Sequence, residues 1–327
     1  MGLFDEITKC TKCPKVESLN DENSQSIKQH LKDAHRGVST NAYIIAVANR
    51  CADVKGWIQQ TFDNAEQYLD TDFPSNFLVD FEQRCWELST YQYLVDCGIS
   101  INIPAQREGP DFETSVGYIE CIAVKRGDGA NAIPLLEASI LRSDGTWTEG
   151  GGFQPVPTNE AQLRISTALT TKTGKYEGYT TKQWFDHSKP RLIAVNWWAD
   201  GSSFGVGSSS DVTTDPMLRT LFGTGPLQFR IDSRTHEVID QQPVRQLTIP
   251  NANGTEIEVH YFAKAEENSN RQIDGVISSA ESPFIYRGEE FRAINNPFGK
   301  TIDMDVFSKG HKTITELDKD GFSVSSS

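Results

Sequence analysis

Gly109-Pro110-Asp111-Phe112 leads into Tyr118-Ile119-Glu120-Cys121-Ile122-Ala123-Val124, and these two segments decide the reading of the chain. The first places an acid at a tight turn after proline. The second places Glu120, nine residues after Asp111, inside an apolar strand. An unpaired buried charge costs several kcal/mol or more, so Glu120 needs a cation or hydrogen-bond donors beside it. Two carboxylates on adjacent strands of a hairpin make a site for a divalent, oxygen-seeking metal ion. The chemistry they point to is metal-dependent.

Upstream, Phe77, Phe81, Cys85, Leu88, Gln92 and Val95 fall on one stripe. That spacing predicts an amphipathic helix over 77–95, opened near Asp72-Phe73-Pro74-Ser75 and closed by Gly98. Ile99, Ile101 and Ile103 then alternate as a strand that stops at Pro104. Residues 40–70 read as helical, with Ile44, Ile45, Val47, Val54, Trp57, Ile58 and Phe62 on one face. Downstream, residues 126–158 are rich in Gly, Pro and short polar side chains and read as a long loop or lid. Glu160 to Tyr179 is helical by its Leu163, Ile165, Ala168, Leu169 and Tyr176 spacing, and Pro190 to Asn196 is a buried central strand. Beyond a Gly/Ser-rich stretch ending at Ser210, short strands follow: 246–250 and 256–262 around the Asn251-Ala252-Asn253-Gly254 turn, then 273–279 and 291–295. The polar tail after His311 is expected to fray.

With 327 residues, the chain is long enough for one large domain or two smaller ones. It contains no apolar run near the roughly 20 residues that span a bilayer. Acidic Asp5 and Glu6 make the first residues neither a secretory signal nor a good myristoylation site, so a cytoplasmic location with no membrane partner is expected. A net charge of −14 argues against broad, sequence-independent affinity for nucleic acid. Bound divalent ions would supply positive charge where phosphate sits, so a nuclease is not excluded. Of the cysteines at 10, 13, 51, 85, 97 and 121, only the first two are closely spaced. Cys85 and Cys97 read as small buried hydrophobes on the helix. Trp197-Trp198 reads as core, Gly150-Gly151-Gly152 as turn glycines, and His187, His236, His260 and His311 as isolated.

The first 38 residues form a unit of their own. Cys10-x-x-Cys13 precedes His30 and His35, which lie five apart on a helix and can reach one ion. The four ligands, in this order, resemble the two-Cys, two-His zinc finger, with a middle spacer of sixteen residues. A unit this short and polar needs its structural Zn²⁺ to fold. Its basic and acidic side chains balance, so it aids nucleic-acid or partner binding without a strong phosphate grip of its own.

The order helix, strand, acidic hairpin, helix, buried strand resembles the PD-(D/E)XK, or restriction-endonuclease-like, nuclease superfamily. The residues that carry the resemblance are Glu87 after Trp86, Pro110-Asp111, Glu120-Cys121-Ile122, and the helix with Arg164, Lys172 and Lys175. A group of uncharacterised bacterial members shares these motifs and a late Asn-Pro, here Asn296-Pro297. The resemblance covers roughly 77–300 and implies an α/β fold, a mixed central sheet flanked by helices. The finger over 1–38 would precede a nuclease-like domain over 39–327, β-rich after about residue 205.

By that resemblance, Asp111 and Glu120 bind Mg²⁺ or Mn²⁺, with the Cys121 carbonyl as a further ligand. Glu87 adds a third acid from the helix behind. The superfamily expects a lysine two residues after the second acid, and this chain has Ile122 there. Lys125 falls on the opposite strand face. The following helix offers Lys172, with Lys175 in reserve, and Arg164 as a phosphate clamp. The function implied is hydrolysis of phosphodiester bonds in DNA, with a homodimer as a possible assembly. The competing reading is a nuclease fold that has lost catalysis with its lysine and binds nucleic acid or protein as an adaptor.

Overall fold

The structure, a computed structural model, describes residues 2–9, 29–30, 33, 38–47, 52–103, 108–134, 157–198, 215–262, 273–280, 282–284, 286, 288–318 and 321–326. The chain divides into two compact units, Met1–Cys121 with Pro283–Gly288, and Ile122–Ser282 with Glu289–Ser327. Cys10, Cys13 and His35 lie outside the described residues, while His30 is described on a short helical stretch. Both units are mixed α/β.

The first unit contains α1 (Asp5–Thr8), α2 (Thr40–Val47), α3 (Ala52–Ala65), α4 (Phe73–Asn76) and α5 (Phe81–Asp96). Its strands are β1 (Ile101–Asn102), β2 (Phe112–Thr114) and most of β3 (Gly117–Ala123). The core between the helices is aromatic. Phe4 meets Phe77 edge-on at 5.4 Å, Phe73 stacks on Phe62 at 5.7 Å, and Phe81 stacks on Phe284 at 5.0 Å. Such pairs add about 0.5–1.5 kcal/mol each beyond the area they bury. Glu82 accepts hydrogen bonds from Ser39 Oγ at 3.0 Å and Asn41 Nδ2 at 2.7 Å, which ties the start of α2 to α5.

Helix α5 starts at Phe81, with Phe73–Asn76 a separate turn, and the expected apolar stripe stops early. Phe77, Phe81, Cys85 and Leu88 are buried, Gln92 is half-buried and Val95 is exposed. Cys97 is the half-buried cap residue rather than a core position. As expected, Gly98 ends the helix. It takes a left-handed φ of 71°, which glycine adopts without strain, and Ile99 N–H donates back to the Leu94 carbonyl at 2.9 Å. The isoleucine strand shrinks to Ile101–Asn102, because Ile99 turns inward and Ile103 is exposed.

The second unit contains α6 (Thr158–Tyr179), β4 (Arg191–Asn196), α7 (Pro216–Phe222), the hairpin β5 (Thr224–Ile231) and β6 (Val238–Arg245), and the hairpin β7 (Thr248–Pro250) and β8 (Glu256–Glu258). Next come β9 (Gly275–Ser279), β10 (Arg292–Asn295), β11 (His311–Asp318) and β12 (Gly321–Ser326). Strand β4 runs parallel to β9, β9 antiparallel to β10, β10 parallel to β11, and β11 antiparallel to β12. This is a mixed sheet. Its β4 and β9 strands are almost wholly buried, β4 along the unbroken apolar run 192–195. Helix α6 is fastened by Tyr176, whose hydroxyl donates to the Leu192 carbonyl at 2.6 Å. The Tyr261 hydroxyl donates to the Ser166 carbonyl at 2.6 Å. Trp197 is buried, in line with its reading as core.

The tail does not end loosely at His311. Residues 311–313 pair in parallel with β10 and residues 313–318 pair antiparallel with 321–326, so the sheet supplies the hydrogen bonds that the polar sequence alone did not foreshadow.

Candidate metal and phosphate site

Helix α5 carries three side chains to one point in the first unit. Glu87 is 5% exposed, beside buried Trp86. Arg84 Nη1 donates to Glu87 Oε2 at 2.8 Å, and Gln83 Nε2 donates to Glu87 Oε1 at 2.9 Å. The same Gln83 nitrogen also reaches the Cys121 carbonyl at 2.9 Å. Positions 83, 84 and 87 lie one helical turn apart, which brings the three onto one face. Neither Gln83 nor Arg84 was singled out from the sequence, although the three- and four-residue spacing from Glu87 offered the signal.

The hairpin brings the other acids. Strand β2 pairs antiparallel with β3 through Thr114↔Gly117, Glu113↔Tyr118 and Phe112↔Ile119, a register that runs on toward Asp111 and Glu120. Asp111 is half-buried, and its Oδ2 accepts the Cys121 N–H at 2.6 Å. Glu120 is fully buried, at 0% exposure, on β3. Glu87, Asp111 and the Cys121 backbone therefore belong to one connected network, linked through Gln83 and the Cys121 peptide.

The electrostatics of this network are strained toward a cation. Burial, and then the Asp111 charge, push the Glu87 carboxyl up to about 7 from 4.5, against the pull of Arg84 and Gln83. Burial pulls the Arg84 guanidinium down, but Glu87 outweighs it and leaves the guanidinium above its usual range. One basic partner thus does not compensate two acids in this environment. Among the described residues Arg84 Nε is buried without a hydrogen-bond partner, and its guanidinium stands 5.2 Å from the centre of the Phe73 ring. Among the described residues, no group of three or more His, Cys, Asp or Glu side chains is arranged to hold a metal ion. The donors are oxygens of the hard type that Mg²⁺ and Mn²⁺ prefer. However, Glu87 is engaged by Arg84 and Gln83, and one Asp111 oxygen is engaged by the Cys121 amide.

The second unit holds the predicted cations. Lys172 is 6% exposed on the inner side of α6, with Leu169, Thr173 and Tyr176 also buried. Lys175 is exposed. Ile122 is half-buried at the position where the superfamily pattern has lysine, and Lys125 is exposed. Arg164 Nε donates to the Lys125 carbonyl at 3.0 Å.

Asn296 of the Asn-Pro pair has a structural task. Its Nδ2 donates to the Ile273 carbonyl at 2.7 Å, and its Oδ1 accepts from Phe298 N at 3.0 Å. Asp274 beside it accepts from Arg191 N at 2.8 Å and Lys300 N at 2.7 Å. Together they close the turn after β10. No family model, curated protein or solved structure matches the chain. Among the described residues no helix is long and apolar enough to cross a membrane.

Proposed function

We propose that the chain is a divalent-metal-dependent nuclease of the PD-(D/E)XK type acting on DNA, with an N-terminal zinc finger that aids nucleic-acid or partner binding. The observation that carries this reading is the network joining Glu87, Asp111 and the Cys121 backbone, in which a buried and a half-buried acid are linked through one amide. Asp111 and Glu120, with Glu87 and the Cys121 carbonyl, would hold Mg²⁺ or Mn²⁺. The ion, when bound, polarises the phosphate and lowers the pKa of an attacking water.

The chain's own residues do the rest. Gln83 orients Glu87 and the Cys121 carbonyl together, and Arg84 steadies the ionised form of Glu87. Arg84 also holds Glu87 toward the hairpin before any ion arrives. Lys172, buried on α6, is the candidate for the cation that stabilises developing phosphate charge. Ile122 at the motif lysine favours one rival, an inactive nuclease fold that binds nucleic acid or protein.

The test is cleavage of supercoiled plasmid and of linear single- and double-stranded DNA with Mg²⁺, Mn²⁺ or EDTA. Wild type is compared with Asp111→Asn and Lys172→Met. Metal-dependent nicking lost in both variants supports the enzyme. Binding without cleavage on every substrate would leave the adaptor.

A further inference from the structure

Two arginines of the second unit are held in the same way. Arg126 Nε donates to the Ile133 carbonyl, and Arg164 Nε donates to the Lys125 carbonyl. Each guanidinium is thereby fixed by its inner nitrogen to main chain. Among the described residues, the terminal nitrogens of both have no acceptor, and neither side chain forms an ion pair. Asp128 and Glu160, the acids nearest along the chain, make none with them. In a chain with 45 acids against 31 lysines and arginines, two half-buried arginines with no carboxylate partner among the described residues stand out.

Gly127 links the two. Its left-handed φ of 78° lets the turn pass directly under the Arg164 guanidinium. A Cβ there would stand 2.6 Å from each of the Arg164 terminal nitrogens, so only glycine lets the planar group lie on the backbone. The segment Lys125-Arg126-Gly127 thus gives a carbonyl to one arginine, supplies the second, and adds an exposed lysine. A guanidinium anchored by Nε keeps its terminal pair for another acceptor, and such a pair suits two oxygens of one phosphate.

The geometry points to an oxyanion clamp formed by Arg126 and Arg164 on the Gly127 turn, whose ligand is the phosphodiester backbone of nucleic acid. Naming nucleic acid rests on the nuclease reading above; the two-arginine geometry does not.

The test uses the full chain in EDTA, where metal-dependent cleavage is off. Anisotropy of labelled duplex and single-stranded DNA is measured across salt concentrations for wild type, Arg126→Ala, Arg164→Ala and Arg164→Lys. Circular dichroism checks the fold of each. Each alanine variant is expected to weaken binding several-fold and to lower the salt slope by about one phosphate contact. Lysine at 164 should keep the charge but not restore the affinity. Unchanged affinity and slope in both alanine variants would overturn the clamp even if the chain cleaves DNA. Arginine-dependent binding without cleavage on restoring Mg²⁺ or Mn²⁺ would keep the clamp and remove the nuclease. If DNA does not bind but inorganic phosphate raises the melting midpoint of wild type and not of the arginine variants, the ligand is free phosphate and the phosphodiester assignment falls.

Discussion

Asp111 Oδ2 lies 2.6 Å from the amide nitrogen of Cys121, so a carboxylate of one hairpin arm is bound to the backbone of the other. The bond gives Asp111 a structural role beside its proposed metal role, and two substitutions separate them. Asn at 111 keeps an acceptor for the Cys121 N–H and removes the charge. Ala strands that amide, which costs about 1–3 kcal/mol when a donor is left unsatisfied. Asp111→Asn should therefore denature near the wild-type urea midpoint yet lose metal binding, while Asp111→Ala should lose both. Equal destabilisation by the two would mean that charge, not the hydrogen bond, sets the hairpin.

Glu87 makes the stability depend on pH in a predictable sense. Its carboxyl is raised from 4.5 to about 7, first by burial and then by the charge of Asp111. Between those values the folded chain holds a proton that the unfolded chain has released. Its contribution to stability is complete below about 4.5 and is lost as pH rises through about 7. Metal-free denaturation from pH 4.5 to 8 should show wild type losing stability over this window relative to Glu87→Gln. The same proton must leave before a cation binds, so Mn²⁺ affinity should climb through pH 7 in wild type. A pH-independent difference between the two proteins would contradict the assignment.

Gln83 spans Glu87 and the Cys121 carbonyl with one nitrogen, 2.9 Å from each. A cation bound by those oxygens would take over the compensation that the amide gives. Gln83→Ala should lower metal-free stability by about 1–3 kcal/mol, and saturating Mn²⁺ should recover most of it. A deficit of the same size with and without Mn²⁺ would place the ion elsewhere.

What was legible in the sequence follows from local chemistry. Proline before Asp111, glycine after α5 and the apolar run of β4 each act within a few residues, and the elements lie where those signals put them. The difference in burial between Lys172, which is buried, and Lys175, which is exposed, was not legible in the sequence, because it depends on what α6 packs against. The β11–β12 hairpin was invisible because its polar residues are ordered by pairing with β10, a distant strand. Helix α7 went unread as well. It is capped by Asp215, whose Oδ1 accepts from Met217 N at 2.8 Å and Leu218 N at 3.1 Å, with Pro216 in its first turn. That signal was present, but the Gly/Ser-rich stretch before it masked the start.

The same Asp215 forms a buried ion pair with Arg292 of β10, at 2.8 Å from Nη1 to Oδ2. Burial holds the Asp215 carboxyl above its usual range, although Arg292 and the two cap amides oppose this. Removing one partner leaves the other charge buried, which costs about 3–5 kcal/mol. Asp215→Ala should also lose the helix cap, so it should destabilise more than Arg292→Met. Chemical denaturation of the two variants and of the double variant checks the order. A double variant clearly more stable than Asp215→Ala would show that the stranded arginine accounts for most of the loss.

Gln162 is the sharpest unexplained polar group of α6. It is 0% exposed, and among the described residues both its Oε1 and its Nε2 lack a hydrogen-bond partner. A buried amide in that state costs about 1–3 kcal/mol or more, and an apolar residue of similar shape removes the cost. Gln162→Met keeps the length and flexibility of the side chain while deleting the polar atoms. The variant should melt a few degrees above wild type, with its folded spectrum unchanged. Gln162→Ala should melt below wild type, since it opens a cavity in place of the amide. If Gln162→Met instead lowers the midpoint, the amide is satisfied in solution, and an ordered water in that position would be the first thing to look for in a crystal.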